Sequence, residues 1–308
     1  MKKRLTHIRI LSDGRPGHEN QSLGLAAALR LRTGAEVECV RLDLKRGFFS
    51  RIKQACQMAG GGVRPQLLIS AGHRTHGPLL LAARRFSAKS VVIMKPSLPA
   101  CFFNLCLVPR HDLREGVIGA RIIPTRGALN RLPETPSIKT ATGVILIGGP
   151  SKHHDWDGAS VLAAIAEMVR RQPGLIWTVA NSRRTPEGFL AEVADLGLPI
   201  EIIPHEKTVP GWLPSVLMAA KDVWVTEDST SMIFEAITAR AQVGLLPLPA
   251  KRPGSRMIRA VDDVVGAGYA VRYADWLPSG RSPASVEPLH EAGRCADEIL
   301  RRWFIAVR

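Results

Sequence analysis

The 308-residue chain has no apolar run approaching the roughly 20 residues that a membrane-spanning helix needs; its apolar stretches are of the length of "GPLLLAA". A helix crossing a bilayer is therefore not expected. The five cysteines (Cys39, Cys56, Cys101, Cys106, Cys295) are odd in number and lack CxxC spacing, which argues against a disulfide framework and against a structural zinc site. Aromatic residues make up only 5% of the chain, few for a platform that stacks nucleic-acid bases, and no nucleic-acid-binding module is recognisable. The patterns GxGxxG and GxxxxGK[ST] are absent as well, so neither a dinucleotide site nor a P-loop is supported. The start, "MKKRLTHIRILSDGRPGHEN", is basic but carries no apolar stretch of signal-peptide length, and a cytoplasmic protein is expected.

Acidic residues are scarce in one half only. Residues 1–141 hold 24 Lys/Arg against 8 Asp/Glu, a formal +16, whereas residues 142–308 hold 18 against 19, a formal −1. A uniform basic bias would not produce that split. It points to an anionic partner for the first half, with an anionic membrane surface favoured over nucleic acid. Within that half, "KRGFFSRIKQ" interleaves Arg46, Arg51 and Lys53 with Phe48 and Phe49, a pattern that suits a membrane interface and equally suits a helix whose phenylalanines are core.

What the chain has in quantity is a repeated strand-and-helix grammar. Its length predicts two domains. In the first half "HIRILS", "EVECVRL", "PQLLIS", "SVVIM" and "NLCLVP" read as strands; in the second "GVILIGG", "LIWTVA", "PIEIIP", "DVWVT" and "VGLLPL" do. Helices are expected near residues 19–33 and 76–87. Alternation of this kind predicts an α/β protein of two Rossmann-like, doubly wound domains facing a cleft. The division is expected in the stretch 126–143, giving domains 1–141 and 142–308. Leu289, Ala292, Cys295, Ala296, Ile299, Leu300, Trp303 and Phe304 trace a closing amphipathic helix, expected to pack back on the first domain.

Polar clusters fall where strands end and helices begin, the edge at which such sheets bind ligands. Gly148, Gly149, Ser151 and Lys152 offer amides, a hydroxyl and a cation to a phosphate; an ordinary tight turn is the competing reading. Arg183 and Arg184 can grip a diphosphate in bidentate fashion. In "VTEDSTSMIFEA", Glu227 stands at a strand end, Asp228, Ser229 and Ser231 fill the helix entry, and Glu235 lies about two turns in. A simple N-cap explains one or two of these; carboxylates there also accept hydrogen bonds from the hydroxyls of a ribose or hexose. His18, in "GRPGHENQ", is a candidate general base with Asp13 competing for that role. His73 with His76, and His153 and His154 with Asp155 and Asp157, are candidate metal ligands, but no third ligand at fixed spacing supports either, and no metal or cofactor is expected.

Taken together, "SDGRPGHENQSLGLAAAL", "SAGHRTHGPLLLAAR", "ILIGGPSKHHDWD", "NSRRTP" and "VTEDSTSMIFEA" resemble the bacterial branch of the mitochondrial-fission "elongated mitochondria" family over almost the whole chain. The resemblance implies a GT-B fold like that of glycosyltransferases, including the lipid-linked N-acetylglucosaminyltransferase of peptidoglycan assembly. It implies that the second domain holds a nucleotide diphosphate sugar, with Glu235 on the ribose and Glu227 near the transferred sugar. It places the glycine-flanked His18 towards an acceptor, anionic or lipid-linked, at the cytoplasmic membrane face. The competing expectation is a non-catalytic scaffold of the same fold that binds partners at membranes.

Overall fold

The structure, a computed structural model, describes residues 2–58, 62–113, 119–280 and 288–305. Its contacts divide the chain into two compact units: Met1–Arg131 with His290–Arg308, and Leu132–Leu289. The division thus falls at Arg131/Leu132, within the stretch 126–143.

The first unit runs β1 (Lys3–Arg4), β2 (His7–Ser12), α1 (Pro16–Thr33), β3 (Glu36–Arg41), α2 (Phe48–Cys56), β4 (Leu67–Ala71), α3 (His76–Phe86), β5 (Lys89–Ile93), β6 (Leu105–Pro109) and β7 (Ile122–Thr125). The second runs β8 (Thr140–Leu146), α4 (Gly158–Arg171), β9 (Ile176–Ala180), α5 (Phe189–Asp195), β10 (Ile200–Ile203), α6 (Trp212–Ala219), β11 (Ala220–Thr226), α7 (Thr230–Thr238), β12 (Gln242–Leu246), α8 (Arg256–Gly266), β13 (Ala270–Arg272) and α9 (Tyr273–Trp276). The chain then returns to the first unit as α10 (Glu291–Trp303) and β14 (Phe304–Ile305), which pairs with β1.

Each unit is built on a six-stranded, all-parallel sheet, ordered β3-β2-β4-β5-β6-β7 in the first and β10-β9-β8-β11-β12-β13 in the second. The central strands are buried along their length, as Leu67–Ala71 and Leu105–Pro109 are, because helices cover both faces of a parallel sheet. That is why those segments read as unbroken apolar runs. The edge strands β7 and β13 have only 4 and 3 residues and are not among the strands expected from the sequence.

In the first unit α10 lays Ala292, Cys295, Ala296 and Ile299 into the core that holds Leu25 and Leu29 of α1. Full burial of each large aliphatic side chain stabilises by roughly 1.5–3 kcal/mol. Burial also pushes the Cys295 thiol up to about 12, so it is an inert packing group. In the second unit, Trp177 and Trp224 sit opposite Gly143 and Gly244 in the strand register, and a Cβ at either glycine would lie 2.4 Å from an indole carbon. Two glycines inside strands are thus explained by the rings they seat.

Strand order reverses direction between β2 and β4 in the first unit and between β8 and β11 in the second. At such a switch point the neighbouring loops diverge and leave room for a ligand beyond the strand ends.

Candidate functional site

The first switch point is held by Asp13, the residue after β2. Its side chain is only 3% exposed, and a carboxylate so buried needs donors. They are the Arg15 amide at 3.2 Å on one oxygen and His18 Nδ1 at 2.9 Å on the other. With Nδ1 committed to an acid, the His18 ring presents Nε2 as its acceptor, the tautomer a general base requires. The ring is 18% exposed. Beneath the pair lies Gly72, after β4, at φ +95°; a Cβ there would come within 2.5 Å of Asp13 Oδ2 and 2.7 Å of His18 Nδ1. Gly72 therefore gives the pair its room; "SAGHRTHG" marks its loop in the sequence, but nothing there singles out the glycine. The rest of the turn is wired locally. Ser12 Oγ donates to Glu19 Oε2 at 2.7 Å and accepts from the Gly14 amide, and the Ser12 hydroxyl, followed by Arg41, holds the Glu19 carboxyl below its usual range.

The second switch point is held by Asp228, whose side chain is completely buried. It receives the Gly149 amide at 3.3 Å, the Thr226 hydroxyl at 2.7 Å and Arg184 Nη2 at 2.7 Å. A Cβ at Gly148 would stand 2.2 Å from Asp228 Oδ1, and one at Gly149 would stand 2.0 Å from the Arg184 carbonyl oxygen, so both positions require glycine. The Gly148 amide donates to Thr226 Oγ1 at 2.7 Å. From the facing loop, Thr185 and Ser182 donate their hydroxyls to the Gly148 carbonyl at 2.6 and 3.1 Å.

The other residues singled out in the sequence lie around this anchor or apart from it. The Gly148 and Gly149 amides are spent on side chains of the same unit. The Ser151 hydroxyl accepts the His153 and His154 amides at 3.1 and 3.0 Å, closing its own turn, while Lys152 is exposed. Arg184, not Arg183, pairs with Asp228; Arg183 is exposed. Ser229 is the N-cap of α7 but its side chain makes no capping bond, and Asp228 turns away from the helix altogether. The cap reading of "EDSTS" is thereby replaced by a loop anchor. Ser231 is exposed in the first turn and Glu235 is half-buried further along α7.

Glu227 turns to the other side, where Arg272 Nε meets it at 3.0 Å while Arg272 Nη2 meets Asp262 at 2.6 Å. Burial, outweighing Arg272, holds the Glu227 carboxyl above its usual range. The structure does not bring Glu227 together with the contacts of Asp228.

The metal candidates are dispersed. His76 is buried, with Nδ1 3.0 Å from Ser97 Oγ and its ring edge-on to Phe103, whereas His73 is exposed. Asp157 caps α4 through the Ser160 amide and hydroxyl, and Asp155 pairs with Lys251. Among the described residues no group of three or more His, Cys, Asp or Glu is placed to hold a metal ion. In α2 the ring of Phe48 lies on α3, where a Cβ on Gly77 would come within 2.6 Å of it, and Phe49 is 84% exposed. Phe48 thus packs on α3 with one part of its ring while 44% of it stays exposed, and Phe49 meets it edge-on at 6.0 Å between centroids.

The first curated relative aligns at 24% identity over 238 residues, 59% of this chain: an uncharacterized protein, RP120, of Rickettsia prowazekii (strain Madrid E). The chain spans 65% of that relative's length. Two solved structures similar to this one are a putative UDP-N-acetylglucosamine 2-epimerase from Listeria monocytogenes and the kitacinnamycin glycosyltransferase. The first has 13% identity and a TM-score of 0.60 over 96% of this chain and 95% of that one; the second has 18% and 0.53 over 97% and 100%. At such identities the likeness is one of fold, and the fold is GT-B-like, with Rossmann-like units. No helix of the described residues is long and apolar enough to cross a membrane. Residues 16–303 match the family described as mitochondrial fission ELM1, and the chain belongs to that family.

Proposed function

We propose that this chain is a glycosyltransferase that takes a sugar from a nucleoside diphosphate sugar and passes it to a hydroxyl of an acceptor at the cytoplasmic face of the membrane. The observation that carries this reading is the pair of buried Asp13 and half-buried His18 at the first switch point. Asp13 fixes the ring and stabilises its protonated form; His18 Nε2 takes the proton of the acceptor hydroxyl as that oxygen bonds to the anomeric carbon and the bond to the diphosphate breaks. A single displacement of this kind inverts the anomeric centre. On this reading Asp13 and His18 divide the task, His18 as base and Asp13 as its partner.

The second unit takes the donor. Its switch point gathers Lys152 and Arg184 in loops beside the Gly148–Gly149 turn, and cations there offset the charge that develops on the leaving diphosphate. Glu235, on α7, is assigned to the ribose hydroxyls. The likeness to a UDP-sugar epimerase and to a glycosyltransferase supports a sugar nucleotide as ligand. The cationic excess of the first half, together with exposed Phe49 next to Phe48 and Arg51, supports contact with an anionic membrane surface.

The test is thermal denaturation of the full chain with UDP, GDP and ADP, followed by an assay for sugar release from the matching sugar nucleotide. A ligand at one hundred times its dissociation constant adds about 2.7 kcal/mol. Stabilisation by one nucleotide, with sugar release lost in His18→Ala, is expected. No stabilisation by any of the three at millimolar concentration would instead favour the non-catalytic scaffold.

A further inference from the structure

The donor reading leaves open which group grips the diphosphate, and the Asp228 construction narrows the choice. Two amides at the second switch point, those of the Gly148–Gly149 turn, are occupied, Gly148 by Thr226 and Gly149 by Asp228. Anion recognition beside that turn then calls for a side chain. Arg184 is anchored at both ends. Its carbonyl lies against Gly149, its amide reaches Ser182 Oγ at 3.3 Å, and its guanidinium is tied through Nη2 to the fully buried Asp228 carboxylate. The side chain is nonetheless 42% exposed, and among the described residues Asp228 is the one acid within ion-pair distance of it. A guanidinium has five N–H donors in a fixed fork, so the pair with Asp228 leaves donors for a second anion.

We propose that Arg184 is the diphosphate-binding residue of this chain and that Asp228 is its positioning residue, an inference that rests on the donor reading above. A flexible arginine loses side-chain entropy when it engages a ligand; one already pinned by a buried carboxylate has lost most of it on folding. Arg183, exposed and without any ion pair among the described residues, lacks that advantage. Because Asp228 and Arg184 are neutral as a pair, recognition relies on the directional fork more than on long-range attraction. The requirement for glycine at 148 follows: any larger residue would displace the carboxylate that aims the fork.

The deciding experiment is calorimetric titration of the full chain with UDP, GDP and inorganic pyrophosphate, on the wild type and on Arg184→Ala, Arg183→Ala, Arg184→Lys, Asp228→Asn and the Arg184→Ala, Asp228→Asn double variant. Loss of a charge-assisted pair predicts about tenfold or greater weakening in Arg184→Ala, less than about threefold in Arg183→Ala, and incomplete recovery in Arg184→Lys, which restores charge without the fork. Asp228→Asn should weaken binding on its own and add nothing in the Arg184→Ala background, a non-additivity that a purely structural role would not produce. Wild-type affinity in Arg184→Ala, equal losses at both arginines, or additive losses in the double variant would overturn the assignment while leaving the donor reading intact. If none of the three probes binds the wild type, the donor reading fails and the assignment with it. Should Asp228→Asn not fold, the contrast between the two exposed arginines still decides.

Discussion

The two switch points use the same device for different ends. In each, an aspartate at the end of a strand is buried, and a glycine on the neighbouring strand end gives it room: Asp13 over Gly72, Asp228 over Gly148. What differs is the partner. Asp13 holds an imidazole, whose second ring nitrogen can accept a hydrogen bond, whereas Asp228 holds a guanidinium, which has donors only. On the proposed function, the same buried carboxylate serves proton transfer in one unit and anion binding in the other. A fold repeated twice need not repeat its chemistry.

The sharpest way to break that parallel is to add a methyl group. Gly149→Ala meets fixed backbone, the Arg184 carbonyl, and should destabilise the second unit by about 2–4 kcal/mol. Gly72→Ala meets the end of a side chain but adds positive-φ strain, and about 2–3 kcal/mol is expected with loss of sugar release. Denaturant unfolding of each variant measures both. Equal, negligible losses would mean that the close approaches are not needed. Next comes removal of the aspartates. Asp228→Ala strands three donors and should cost about 2–3 kcal/mol, whereas Asp13→Ala strands two and should cost about 1–2 kcal/mol. The reverse order, read from the same unfolding curves, would contradict the account of which anchor does more.

The units should also part company in acid. Burial, followed by neighbouring His73, holds His76 down to about 4, so the unfolded chain binds the proton first as pH falls from 6.5 to 4 and the first unit loses stability there, on the order of 1–3 kcal/mol. In the second unit Glu227 lies above its usual range, so its folded form takes up a proton before the unfolded one, and its contribution rises as pH drops towards 4.5. Unfolding measured at pH 7, 5.5 and 4 should show the His76 slope in wild type and not in His76→Gln. A slope that survives the substitution belongs to another group. The smallest effect is expected at Glu298, which the Arg301 and Arg302 guanidinium groups hold at about 2. Its contribution is present above 4.5 and is lost as pH falls through about 2. Because the cluster faces solvent, Glu298→Gln should cost under about 1 kcal/mol at neutral pH, and less in high salt.

Much of this was legible in the chain itself. Parallel strands buried on both faces announce themselves as apolar runs, and the closing helix shows its stripe from Ala292 to Leu300. The short strands β7 and β13 leave no such mark. At the sites, the loops were readable and the partners were not. "VTEDSTSMIFEA" singled out Asp228, but its bonds run to Gly149, 79 residues away, and to Arg184, 44 away, and a choice between adjacent arginines depends on which one the strand end aims inward. Asp13 and His18, five apart across one helix start, were close enough in sequence to be named together. Their pairing with Gly72 was not, because it depends on the strand order.

The measurement that bears most directly on two units with two tasks is a comparison of UDP binding and UDP-sugar turnover in His18→Ala and Arg184→Ala, both in the full chain. The account predicts that His18→Ala keeps wild-type affinity for UDP and loses turnover, whereas Arg184→Ala weakens UDP binding by about tenfold or more. If His18→Ala turns over like the wild type, or if it weakens UDP binding as much as Arg184→Ala does, the proton-moving and anion-binding roles assigned to the two switch points are contradicted.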